Sequence, residues 1–173
     1  MKFNQERHIF RSEKFKSEVA EALDFIDNTP IPLPPEFQFY GVGVYALYYS
    51  GDFSFYKDLA QKQGTSSTRP IYVGKAVPPG WRTARINVST SSSLYNRLRE
   101  HARSIKQVKN LKIQDFKCKF MILINVENDL IVPVEAELIR KYRPLENKKF
   151  DFLLRWLNEC PSTDFASPRR WGV

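Results

Sequence analysis

Histidine and cysteine are scarce in this chain, with two of each among 173 residues. His8 and His101 are far apart, and Cys118 and Cys160 form no CxxC pair. The sequence therefore signals neither a zinc site nor a disulfide framework, and both cysteines are expected as free thiols. Long apolar runs are missing too; none has the length that a membrane-spanning helix needs. The opening segment MKFNQERHIFRSEKFKS has no apolar stretch followed by a small-residue cleavage site. A soluble, cytoplasmic protein is the expectation. Internal repeats and low-complexity tracts are also lacking. What is present is a hydrophobic content of 42% and an aromatic content of 14%. That supports one domain with a real core, in a chain too short for two comfortable ones.

The formal net charge of +8 is unevenly placed. Residues 1–68 carry 7 basic against 9 acidic side chains, and residues 120–173 carry 8 against 8. Between them, residues 69–119 carry 12 against 2, a local excess of +10. A patch of this kind is the footprint of a phosphate-backbone binder, whose affinity falls steeply with salt. The alternative is a solvated basic face. Serine, threonine, asparagine and tryptophan in the same stretch can contact sugar and base edges, which favours nucleic acid.

Hydrophobic periodicity predicts the elements. Residues 12–27 place Phe15, Val19, Leu23 and Ile26 at helical spacing, with Ser12 as a cap. The proline-rich stretch 30–36 cannot continue that helix and is expected to run extended toward the first strand. VGVYALYYS at 42–50 and RPIYVGKA at 69–76 suit buried strands. The connection 51–68 is polar, with a short helix possible around Tyr56, Leu59 and Ala60. The loop 77–93 mixes turn, basic and hydroxyl residues and is the first choice for DNA contacts. Residues 92–106 put Leu94, Leu98, Ala102 and Ile105 on one helical face, capped by serine. A strand at 118–125 and a helix at 132–143 follow, with Pro133 in the first turn and Pro144 ending the helix.

Two tyrosine motifs lie within these strands, GVY at 43–45 and YVG at 72–74. Each tyrosine stands near a glycine that permits close backbone approach. Arg97 and His101, four apart, share a helical face beside the apolar stripe. Glu135 is expected in the first turn of the last helix, where the dipole favours its ionised form. Tyr142, Pro144 and Asn147 come after it.

This ordered set resembles the GIY-YIG nuclease family over about residues 40–147. Val44 and Val73 replace the isoleucines of the family name, and Glu146 precedes Asn147. Within the family the chain is similar to the type II restriction endonucleases that cut the palindrome CCGCGG. The long spacing from Tyr45 to Tyr72, the YVGKAVPPG stretch, LYNRLREHA and the N-terminal helix with its proline-rich linker carry that likeness. The implied fold is α+β, a small central antiparallel three-stranded sheet flanked by helices, with an N-terminal helix and a DNA-contacting loop insertion. The organisation expected is a single domain, with a helix and linker at 1–40, a nuclease core at 41–147 and an extension at 148–173.

The resemblance implies hydrolysis of DNA phosphodiesters with one Mg²⁺ held by Glu135. Tyr45 is the candidate for activating water, helped by a cationic field from Arg97, His101 and Lys75, because a phenol with its reference pKa of about 10 is otherwise a poor base at neutrality. Tyr72 would orient the water or phosphate, Arg97 would stabilise charge on the phosphate oxygens, and Asn147 would position the others. Arg82 and Arg85 could each read guanine or contact phosphate, with Asn87 and Arg103 as further DNA contacts. Double-stranded DNA is the implied partner, met by a homodimer on a palindrome, and a companion DNA methyltransferase is expected functionally. Other readings are a repair or mobile-element nuclease on branched DNA and a noncatalytic DNA-binding protein. Glu146, Asn147 and Lys148 form an ExK pattern, but it follows Pro144 with no suitable PD pair before it. An HNH site would need more histidines.

Overall fold

The structure is a computed structural model, and it describes residues 13–25, 30–53, 56, 69–81, 90–123 and 130–142. In chain order these form α1 (Glu13–Phe25), β1 (Ile31–Pro32), β2 (Val42–Tyr49), β3 (Tyr72–Ala76), α2 (Ser93–Gln107), a 3-10 turn (Ile113–Asp115), β4 (Phe116–Leu123) and α3 (Ile131–Tyr142). The sheet order is β1-β4-β2-β3, with every pairing antiparallel.

β2 is buried at all eight positions because it is central in the sheet and covered on both faces. A strand with two covered faces needs a continuous apolar run rather than alternation, which is what VGVYALYY supplies. Its side chains still alternate. Tyr45, Leu47 and Tyr49 join Leu94, Leu98, Ala102 and Ile105 of α2 in one core cluster. Val42, Val44, Ala46 and Tyr48 face the other way, onto Ile131, Val134 and Leu138 of α3 and Val19 and Ala22 of α1. The domain is thus a sheet between two helical layers, in which each fully buried leucine or isoleucine contributes roughly 2 kcal/mol.

The expected order of helices and strands is present, and the sheet has one strand more than expected. Ile31 and Pro32, within the proline-rich stretch, pair with Cys118 and Lys117 of β4. Proline is tolerated there because β1 is an edge strand. The serine cap of α2 also differs: Ser92 makes no capping hydrogen bond through its side chain, whereas Ser91 Oγ accepts the Ser93 N–H at 3.2 Å. In α1, Val19 is buried and Leu23 partly buried as the periodicity predicts, while the Ser12 cap and the side chains of Phe15 and Ile26 lie outside the described residues. Cys118 is a buried free thiol; Cys160 lies outside the described residues. Tyr56 is buried against Tyr49 and Phe116, and Leu59 and Ala60 lie outside the described residues. No helix among the described residues is long and apolar enough to cross a membrane.

Both motif glycines make room for something specific. A Cβ on Gly43 would lie 1.9 Å from the Met121 carbonyl oxygen, so β2 and β4 could not keep their pairing. A Cβ on Gly74 would lie 2.9 Å from the Tyr45 hydroxyl and 2.8 Å from the Tyr72 ring. One glycine serves the sheet and the other the phenols. Gly43→Ala should therefore lower thermal stability strongly. Gly74→Ala should leave a folded protein with displaced tyrosines and reduced activity. Comparing melting temperature with turnover for the two variants checks this, and similar profiles would refute the division.

Candidate active site

Tyr45 leaves the middle of the sheet toward α2, and Tyr72 does the same from β3, where Leu47 is its cross-strand neighbour. Their rings lie 5.8 Å apart at 29°. Residues four apart on a helix share a face, so α2 brings Arg97 and His101 to the same place. The Tyr45 hydroxyl and His101 Nε2 are 2.8 Å apart, and the Tyr72 and His101 rings are 5.0 Å apart. Arg97 hydrogen-bonds Tyr45 and Tyr72 and also donates through Nη1 to Glu100 at 3.0 Å. An arginine can only donate. The Tyr45 oxygen therefore accepts from Arg97, and its own proton has two candidate acceptors, His101 Nε2 and Tyr72.

The electrostatics differ from the expected cationic field. Burial raises the Tyr45 pKa well above the ordinary phenol value; Tyr72 adds to this and Arg97 opposes it without prevailing. His101 is held down to about 3, first by burial and then by the Arg97 charge. It is a neutral imidazole and brings no positive charge to Tyr45. On Arg97, burial opposes the charge, but Tyr45 and the hydrogen bonds to Glu100, Tyr45 and Tyr72 outweigh it. The site has a fixed guanidinium, a protonated phenol and an unprotonated imidazole in contact. With these pKa directions the proton stays on oxygen in the free protein.

The neutral His101 has a stability consequence. Its pKa is about 3 in the folded protein against 6.5 for an ordinary imidazole. The unfolded chain thus binds the proton more readily, so stability present above pH 6.5 is lost as pH falls toward 3. Between about pH 7 and pH 4, wild type should lose on the order of 3 kcal/mol more than His101→Gln does. Urea unfolding at the two pH values measures this; equal losses would show that His101 does not resist protonation.

A cleft of about 490 Å³ opens beside this cluster, between Lys75, Ala76 and Val77 on one side and Ser93, Asn96, Arg97 and Glu100 of α2 on the other. Neither phenol lines it; Tyr45 is fully buried and Tyr72 nearly so. Arg97 joins the two regions. Lys75 reaches from the cleft to Glu135, with its ammonium donating to Oε2 of a carboxylate that is only 14% exposed. The expectation for Glu135 needs correcting here. α3 starts at Ile131 and holds no acidic residue in its first turn, so Glu135 stands in the second. Its counter-charge is Lys75, 60 residues away in sequence, rather than the helix terminus, whose influence fades within one turn.

Of the other expected site residues, Arg103 is exposed on α2. By helical geometry it projects well away from the Arg97 direction, on the flank of Tyr95 and Arg99. Arg82, Arg85, Asn87 and Asn147 lie outside the described residues. The residue that the sequence reading missed is Glu100. Its i,i+3 spacing from Arg97 was legible, but nothing in the sequence marked it as part of a cleft wall.

A central antiparallel sheet carrying two tyrosines, facing a helix with arginine and histidine and a second helix with a glutamate, defines a GIY-YIG nuclease domain. Residues 37–153 match the family described as the Eco29kI GIY-YIG domain. The chain belongs to that family, which is one of restriction endonucleases, and it is accordingly a nuclease acting on DNA. No curated protein matches the chain.

Proposed function

We propose that the protein is a Mg²⁺-dependent type II restriction endonuclease that hydrolyses double-stranded DNA at a short GC-rich palindrome of the CCGCGG kind. The observation that carries this reading is the contact of Tyr45, Tyr72, Arg97 and His101 behind a cleft whose opposite side holds Lys75, itself paired with Glu135. Among the described residues no group of three or more His, Cys, Asp or Glu is placed to hold a metal ion. One carboxylate suits Mg²⁺, which commonly relies on one or two carboxylates plus phosphate oxygens and water. Glu135 is the residue that would hold it, and a bound Mg²⁺ supplies Lewis-acid stabilisation of phosphate oxygens.

The chain's own groups would do the rest. Arg97 donates to a nonbridging phosphate oxygen and stabilises the charge that develops there. For Tyr45 to take the proton of the attacking water, that water has to pass Arg97 from the cleft to the buried hydroxyl; the phenol's own proton then passes to His101 Nε2, so no free phenolate has to exist beforehand. Phosphate beside Arg97 offsets the positive charge that helps hold the imidazole pKa down, which makes His101 a better acceptor once DNA is bound. Tyr72 orients the water or the phosphate, and Lys75, freed from Glu135, adds a second cation. Asn147 positions these groups. Arg82 and Arg85 would read guanine or contact phosphate, and Asn87 and Arg103 would make further DNA contacts. A palindrome calls for a two-fold homodimer, and host DNA calls for protection by a companion methyltransferase.

The test is incubation with unmethylated plasmid and Mg²⁺, with EDTA and Glu135→Ala as controls. Discrete fragments are expected with Mg²⁺ alone. Salt-sensitive binding without cleavage would replace this reading by a noncatalytic one, and cleavage confined to branched substrates would point to repair.

A further inference from the structure

Both cations that face the cleft are already engaged by carboxylates of the same chain, Lys75 by Glu135 and Arg97 by Glu100. The proposed role of Glu135 accounts for the first pair and leaves the second unexplained. An exposed i,i+3 ion pair is ordinarily worth little. This one differs in its arginine: Arg97 lines the cleft and at the same time bonds Tyr45 and Tyr72. Glu100 lines the same cleft and is 55% exposed.

We propose that Glu100 is an internal stand-in for the DNA phosphate, occupying Arg97 within the cleft until a phosphodiester displaces it. This rests on the proposed function. A guanidinium has five N–H donors and recognises phosphate best through two of them at once. Two phenol oxygens and the Glu100 carboxylate already draw on that set. Two donors remain, but Arg97 and Glu100 line the same cleft, so a phosphate that reaches Arg97 there meets the carboxylate already bonded to Nη1. A carboxylate and a phosphodiester repel each other in one cleft, so the exchange moves Glu100 toward solvent, where its half-exposed side chain is easily accommodated. The carboxylate thus weakens the hold of Arg97 on any DNA backbone, and contacts made only on the correct sequence must offset that loss. Glu100 acts on the strength of backbone binding, through Arg97, as a positioning residue.

Fluorescence anisotropy in EDTA tests this, using one labelled duplex carrying CCGCGG and one lacking it, titrated over a range of salt. Wild type, Glu100→Gln, Arg97→Met and the double variant are compared. Glu100→Gln should bind both duplexes up to about fivefold more tightly. Its plot of log affinity against log salt should steepen by about one phosphate contact. The gain should vanish in the Arg97→Met background, because the effect travels through that guanidinium. Equal tightening with and without Arg97 would show a bulk charge effect and overturn the proposal. Unchanged affinity with slower Mg²⁺-dependent cleavage would also overturn it, since Glu100 would then only hold Arg97 for the chemical step. Wild type that binds neither duplex would remove the proposed function and this inference with it, whereas wild-type binding left unaltered by Glu100→Gln would remove this inference alone.

Discussion

Tyr45→Phe is expected to slow DNA cleavage by about 10²–10⁴-fold while the protein stays folded and still binds DNA. The ring is fully buried and packs against Tyr72 and His101, and phenylalanine fills the same space. Only the hydroxyl is lost. That hydroxyl lies 2.8 Å from His101 Nε2 and accepts a hydrogen bond from Arg97, so its removal cuts the proposed route from water to imidazole. Leaving those two partners without it costs about 1–3 kcal/mol of stability, which a thermal melt would register as a modest loss. Single-turnover cleavage with Mg²⁺ reads the chemical step directly. Near-normal turnover would take Tyr45 out of the proton path and transfer the role to Tyr72.

The Tyr45 prediction depends on a sign that the sequence did not disclose. A phenol near Arg97, His101 and Lys75 reads as a phenol with a lowered pKa. Packing reverses this, because burial outweighs Arg97 at Tyr45 and strips His101 of its charge. Burial is a property of the assembled layers, and residue spacing does not report it. The layers themselves were legible. The all-apolar run of β2 and the four-residue spacing in α2 each follow from one period, and both elements stand where those periods put them. β1 was not legible as a strand, since two residues in a proline-rich stretch carry no alternation and pair only because β4 offers an edge. The Lys75–Glu135 pair was equally hidden. Its members come from β3 and α3, brought together across one face of the sheet. The helix start at Ile131, which moves Glu135 out of the first turn, is a boundary of the kind that periodicity fixes least well.

Arg97→Lys tests whether the guanidinium acts through its shape or only through its charge. A lysine ammonium is a point charge with three donors, whereas the arginine fork is planar and presents five. In the folded protein Arg97 serves Tyr45, Tyr72 and Glu100 together, and with DNA bound it would serve a phosphate oxygen as well. A lysine cannot span those partners from one position. Turnover should therefore fall by about 10²–10³-fold, the usual loss for one preorganised donor to a developing oxyanion. DNA affinity should change little, because the positive charge at the cleft remains. The discriminating measurement is the split between the two: single-turnover rate at saturating enzyme, set against anisotropy binding in EDTA. If Arg97→Lys cleaved at nearly the wild-type rate, charge alone would suffice and the hydrogen bonds to the two phenols would be packing without consequence. If affinity fell while the rate at saturation held, Arg97 would contribute ground-state binding, and stabilisation of the transition state would have to come from Lys75 and Glu135.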